Sequence, residues 1–417
     1  MPPADSRAGW LYYAPGMISA GLSGALRPSL ALLALSLAGA SGTACTGPTT
    51  AVTGTTPTSS RSPTTRTYYI AAKEVDWDYA PTGENRIKGQ PFDDDARVFV
   101  EPSATRIGRV YRKAIYREYT DDSFTTEKQR TADDQHLGIL GPTLRGAVGD
   151  TLRVVFRNNT KKPASVHPHG VFYDKASEGA LYNDGSSADD KRDDMVAPGA
   201  TYTYEWQIPE RAGPGPDDPS SVVWLYHSHV VSPEATNAGL IGTIVVTRAD
   251  KADANGRPTD VDREFVTLFT VFDENASAYA SENLARLKGP VDAEDEGLVE
   301  SNLMHAINGY VYGNQPGLLM QKGERVRWYL VAMGTEVDLH TPHWHGQTVL
   351  ENGRRTDVVE LMPASMKVAD MVADSPGIWL YHCHVNDHIT AGMLSLYAVG
   401  PLDRATLDKL PTADGVR

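Results

Sequence analysis

The sequence predicts an all-β protein built from two β-sandwich domains, and three observations carry that expectation. From residue 67 onward the apolar residues come in short runs broken by Gly, Pro, Asn and Asp, and no segment holds a helical period beyond a turn or two. Gly and Pro are abundant, 37 and 27 of 417 residues, which suits many tight connections. The plan is also written twice: VWLYHSH (Val223 to His229) is matched by IWLYHCH (Ile378 to His384), NAGLIGTIVV by TAGMLSLYAV, GDTLRVVF by GERVRWYL and HPHG by HWHG.

In chain order, residues 1–45 read as an export signal, because Arg7 and Arg27 precede the apolar run SLALLALSLAGA, too short to span a bilayer and ending in small residues. Met17 is an alternative start. Cleavage near Ala40 is the first reading and a lipidated Cys45 the second, so the protein is expected to be secreted or held at the cell surface. Residues 46–66, rich in Thr, Ser and Pro, cannot build a core and are expected to be a disordered linker. Residues 67–250 supply runs such as TYYIAA, DTLRVVF, TYTYEWQI, VVWLYHSH and GTIVVT, read as the first sandwich. After an Asp-rich stretch, residues 261–403 repeat the plan with REFVTLFTVF, ERVRWYLVAM, MKVADMV and GIWLYHCH, and residues 404–417 form a tail.

Composition narrows the chemistry. A formal charge of -14 with no Lys/Arg run argues against nucleic acid as a partner. The only cysteines are Cys45, in the leader, and Cys383, so the mature body has no internal disulfide and Cys383 is free to bind metal.

Ten of the twelve histidines fall in four clusters: His167 and His169; His227 and His229; His340, His343 and His345; His382, His384 and His388. The stretch HCHVNDHITAGM adds Cys383 and Met393, and Cys, His and Met together form the soft ligand set of a blue-copper site. Side chains alternate along a strand, so if Cys383 faces one metal, His382 and His384 face another. The four HxH pairs put two imidazoles each on one strand face, and eight such imidazoles suit a cluster of three coppers. The first half keeps its HxH pairs but carries Ser228, Leu240 and Ala164 where the second carries Cys383, Met393 and His340. His136 belongs to no cluster and is read as structural.

Four HxH motifs joined to HCHx3Hx4M resemble the signature of multicopper oxidases. TYYIAAKEVDWDYAP, REYTDDSF, HLGILGP, VFDENAS, ESNLMHAINGYVYG and GTEVDLHTPHWHG are similar to phrases of its ceruloplasmin and hephaestin branch, from Thr67 to Pro401. Two domains instead of six is the main departure. The resemblance implies cupredoxin-like, Greek-key sandwiches and four copper ions per subunit. It assigns His340, Cys383, His388 and Met393 to the type 1 copper, His167 and His343 to the type 2 copper, and His169, His227, His229, His345, His382 and His384 to the type 3 pair.

The implied reaction is one-electron oxidation of ferrous iron coupled to four-electron reduction of dioxygen to water. Asp184 is the expected proton relay, with Glu178 as its rival, and Glu300, His305 and Asp387 the expected iron site. A small aromatic reductant, as in laccases, is the alternative; a copper nitrite reductase and a non-enzymatic copper-binding protein rank lower. Copying the six-domain ring with two-domain chains implies a homotrimer with trinuclear clusters at subunit interfaces.

Overall fold

The structure is a computed structural model that describes residues 61–289, 292–336 and 338–417. The leader and residues 46–60 of the expected linker lie outside them. Where the linker is described, the expectation is corrected: strand Thr65–Asp78 already runs through Thr65 and Arg66. The cause is nonlocal. Asp150, its side chain fully buried, accepts from Arg61 and Arg66 at 2.8 Å, so the basic end of a Thr-rich segment is pinned as an edge-to-centre strand.

Strands dominate, and they form four sheets that repeat strand for strand. In the first half Val110–Tyr119, Thr65–Asp78, Thr151–Asn159 and Thr201–Gln207 lie side by side, opposite a sheet ordered Leu144–Ala147, Ile241–Thr247, Ser221–His227, His167–Pro168. In the second half Leu303–Ile307, Arg263–Asp273, Arg325–Ala332 and Met366–Val372 continue into the hairpin Val349–Glu351 and Arg354–Thr356. Their partner sheet is ordered Leu319–Gln321, Leu394–Gly400, Gly377–Cys383, Pro342–Trp344. In each half the long first strand pairs antiparallel on one side and parallel on the other. This is the cupredoxin-like arrangement, twice.

Three apolar layers hold it. Ile70, Phe156, Trp206 and Ile244 fill the first sandwich, and Phe265, Trp328, Tyr381 and Val399 the second. The third layer lies between the halves: Val223, Leu225 and Val245 of one meet Val266, Leu268 and Val331 of the other. Each such side chain contributes roughly 1.5–3 kcal/mol. Strand Arg325–Ala332 shows how period two serves two layers at once, with Trp328 and Leu330 turned to the inner core and Tyr329 and Val331 to the joint. The helices are one or two turns long; Asp94–Val100 starts on an Asp93 cap that accepts from the Ala96 N–H. The tail returns to the first half, where Val416 bridges Trp77 and Asp78 N donates to Gly415 O.

Candidate metal centres

Strand Gly377–Cys383 carries the chemistry of the second half. Its register against Pro342–Trp344 sets His382 opposite His343 and Cys383 opposite Pro342, so alternation sends Cys383 inward and the flanking imidazoles outward. The chain then makes the short helix Asn386–Thr390, which delivers His388, and doubles back at Gly392. Gly392 sits at φ +102 with the Tyr312 ring 2.8 Å from where a Cβ would stand, so only glycine lets Met393 return beside Cys383.

The inward group is compact and buried. His340 Nδ1 and His388 Nδ1 lie 3.2 Å apart, and Cys383 Sγ lies 3.5 Å from the second and 4.0 Å from the first. Met393 is fully buried, and its N–H donates to His388 O. Burial pushes the Cys383 thiol up, but hydrogen bonds with His340, His388 and the Thr341 N–H outweigh it and bring it down to about 6. A thiolate and two imidazoles aimed at one point match the donor chemistry of a blue-copper site.

Outward lie four imidazoles with ring centroids 4.9–5.4 Å apart among His343, His345, His382 and His384. His343 Nδ1 faces Asp357 O at 2.9 Å and His382 Nδ1 faces Cys383 O at 2.7 Å, which leaves each Nε2 as the ligand atom. His382 Nε2 and His345 Nε2 approach to 3.1 Å.

The first half repeats this quartet contact for contact. His167 Nδ1 faces Glu178 O at 2.6 Å, His227 Nδ1 faces Ser228 O at 3.2 Å, and His169 Nε2 meets His227 Nε2 at 3.2 Å. His229 completes it, 5.1 Å from His167 between centroids. Burial and the neighbouring imidazoles hold His227 down to about 3 and His169 to about 4, so both rings stay neutral at neutral pH. Ser228 Oγ accepts from Ser165 N at 3.2 Å just as Cys383 Sγ accepts from Thr341 N at 3.4 Å. Leu240 N donates to Ala235 O where Met393 N donates to His388 O, so Ala235 occupies the place of His388, a replacement the sequence comparison missed.

Within the chain the two quartets stay apart. Among the described residues no ring contact joins them, and each quartet lies at one edge of its sheet, on the outer strand His167–Pro168 or Pro342–Trp344 and on its inner neighbour Ser221–His227 or Gly377–Cys383. The second quartet opens on a cleft of about 960 Å³ lined by His343, His345, Gln347, Arg355, Asp357 and Trp379.

The remaining expected residues fare differently. Asp184 accepts from Lys191 at 2.8 Å, from Ser186 and from Lys175 at 3.0 Å, and these partners hold its carboxyl far below the usual range. An acid so paired stays ionised at neutral pH, so the structure does not support it as the proton relay. Its rival Glu178 pairs with Lys175 at 2.6 Å while its carbonyl orients His167. His305 is buried with its ring 5.1 Å from that of His388. Glu300 and Asp387 are exposed, and the trio is not among the sets of ligand atoms lying within 4.8 Å of one another. A residue missed by sequence reasoning is Asp338, buried, with Oδ1 3.2 Å from His340 Nε2; its i,i+2 spacing to His340 was the available signal.

A cupredoxin-like sandwich with a buried Cys/His/His centre, backed by imidazole quartets on both halves, defines the class of copper-dependent oxidases. Residues 118–251 and 290–403 match two family models, each described as multicopper oxidase, and the chain belongs to that family. It is 46% identical over 342 residues to hephaestin of Homo sapiens, covering 80% of this chain and 29% of the relative. It is 45% identical over 342 residues to "Ferroxidase HEPHL1" of Mus musculus and 44% identical over 341 to ceruloplasmin of Rattus norvegicus, covering 81% and 80% of this chain. The chain spans 29–32% of the length of these relatives. A solved structure described as "Crystal structure of multicopper oxidase" superposes with a TM-score of 0.51 at 19% identity, over 81% of this chain and 89% of that one, which supports the fold.

Proposed function

We propose that the chain is an oxidase that takes electrons singly from ferrous iron and delivers four of them to dioxygen. Four ferrous ions are oxidised to ferric, and dioxygen with four protons becomes two waters. One observation carries this reading: Cys383 of the buried centre is covalently flanked by His382 and His384 of the outward quartet. Copper bound at these residues, four ions per chain, would supply one-electron transfer at the thiolate and oxygen reduction at the histidines. The protein's own part is connection and preorganisation. The peptide joins Cys383 to both imidazoles, and the contact between His382 Nδ1 and Cys383 O adds a second short link. The backbone carbonyls of Glu178, Ser228, Asp357 and Cys383 fix which nitrogen each ring presents.

Iron is favoured by the relative named a ferroxidase and by His305, which packs on His388. Glu300 and Asp387, both exposed, would complete the iron site as its acidic residues. His305→Ala and Glu300→Ala should each cut kcat/KM for ferrous iron at least roughly tenfold, about 1.4 kcal/mol, while activity towards phenols stays near wild type. Equal losses on both substrates would remove the iron reading. One observation favours a small aromatic reductant instead: Leu339 and Met362, 51% and 65% exposed, flank the His340–Leu361 bridge as an apolar rim. Steady-state rates on iron against a phenol panel separate the two.

The quartets at the sheet edges argue for completing each oxygen site between copies, first half of one against second half of the next, closing as a homotrimer. A chain carrying His227→Ala and a chain carrying His382→Ala should each be inactive alone. Refolded together, they should regain oxygen consumption, because some interfaces join two intact quartets; activity from a monomer in light scattering would exclude this assembly. Export is proposed from the leader; among the described residues no helix is long and apolar enough to cross a membrane.

A further inference from the structure

We infer that Asp338 is a positioning residue for the buried Cys383 centre, fixing the ring of His340 and biasing the metal there towards its oxidised state; the assignment rests on that centre holding copper. Asp338 is 1% exposed, yet four donors converge on its carboxylate. Val271 N donates to Oδ1 at 2.7 Å, Thr335 N to Oδ2 at 2.8 Å, Thr335 Oγ1 to Oδ2 at 3.4 Å, and His340 Nε2–H to Oδ1 at 3.2 Å. With its Nε2 proton committed there, His340 presents Nδ1 as its lone pair, and Nδ1 is the atom that faces Cys383 and His388. A carboxylate one imidazole away adds negative charge to a dry site. Such charge favours the more positive ion.

Four other imidazoles are held differently. Among the described residues, His167, His227, His343 and His382 turn their second nitrogen to main-chain carbonyls, the exposed Asp357 carboxylate stands 3.9 Å from His343 Nδ1, and no acid hydrogen-bonds to His388. The repeat supplies an internal control. In the first half Lys162 and Ala164 stand where Asp338 and His340 stand, and the main chain folds alike: Ala164 bridges Val196 as His340 bridges Leu361. The segment therefore does not need an acid in order to fold; the half that kept Cys383 is the half that has one. Gly334 completes the seat, since a Cβ there would stand 2.1 Å from the Asp338 carboxyl carbon.

The experiment uses the copper-loaded protein and reads the blue thiolate band, the one-electron potential and the thermal midpoint. Asp338→Asn should move the equilibrium with a one-electron titrant at least threefold towards the reduced form. A tenfold shift would be 59 mV. Asp338→Glu, which keeps the charge, should move it less, and Thr335→Ala should lower only the thermal midpoint. An unchanged potential and band in Asp338→Asn, with stability alone reduced, would make Asp338 a turn cap and overturn the inference. If that variant does not fold, Asp338→Glu decides: a displaced band supports the role and a wild-type band and potential overturn it. Absence of any blue band in the loaded wild type would overturn the copper reading itself, and this one with it.

Discussion

Cys383 shows how much one residue can decide when its neighbours are covalently fixed. Its inward direction follows from strand alternation, and the same rule turns His382 and His384 the other way. The twin position already holds Ser228, with the same N–H bonded to its side chain, so Cys383→Ser should fold as the first half does. That variant should lose the blue band and oxidase activity while keeping copper at the histidine quartets. Metal analysis with absorption spectra tests this, and a surviving blue band would remove Cys383 from the centre. At this scale the sequence was informative where ligands cluster locally. It was poor where a partner is chosen by folding: Asp338 lay inside a quoted motif, but only the turn over Gly334 shows that its carboxylate reaches His340. Asp184 illustrates the converse, an acid in the expected place that the fold binds to two lysines.

Between elements, the joint of the two halves holds a buried ion pair that no sequence pattern announced. Lys113, on strand Val110–Tyr119, meets Glu274, which follows strand Arg263–Asp273, and both side chains are fully buried. Tyr79 OH donates to Glu274 Oε1 at 2.5 Å and Lys113 Nζ to Asn237 O at 2.7 Å, while Glu274 Oε2 has no partner among the described residues. Burial drives both groups towards neutrality, the lysine down and the glutamic acid up. Removing one partner strands the other, so Lys113→Met should cost about 3–5 kcal/mol, whereas Lys113→Met with Glu274→Leu should cost far less. Denaturant midpoints of these two variants, of Glu274→Leu alone and of the wild type test it, and additive losses would show that the two residues are not coupled. The strand plan was legible because period two and turn residues are local. The start of Thr65–Asp78 was not, because Asp150, distant in sequence, decides it.

For the whole molecule, the repeat, the shared apolar layer and a few polar joints make the two halves one body, and His136 is one of the joints. Its Nε2 accepts from Val266 N at 3.0 Å across the boundary, its ring packs edge-on against Phe265, and its carbonyl accepts from Asn308 and Gln315. Burial lowers its pKa to about 4 from the ordinary 6.5. The unfolded chain takes up this proton below 6.5 and the folded chain only near 4, so the stability contributed by the neutral ring is whole above pH 6.5 and is lost as pH falls towards 4. The loss over that window is about 3 kcal/mol, at 1.36 kcal/mol per unit. His136→Gln keeps an oxygen for Val266 N and has no proton to take up. Other histidines titrate alike in both proteins, so the difference isolates His136. Urea midpoints at pH 7 and pH 4.5 should show the variant gaining about 2–3 kcal/mol relative to wild type on acidification. Parallel pH profiles would mean that His136 is protonated in the folded protein, and that the joint tolerates a charge.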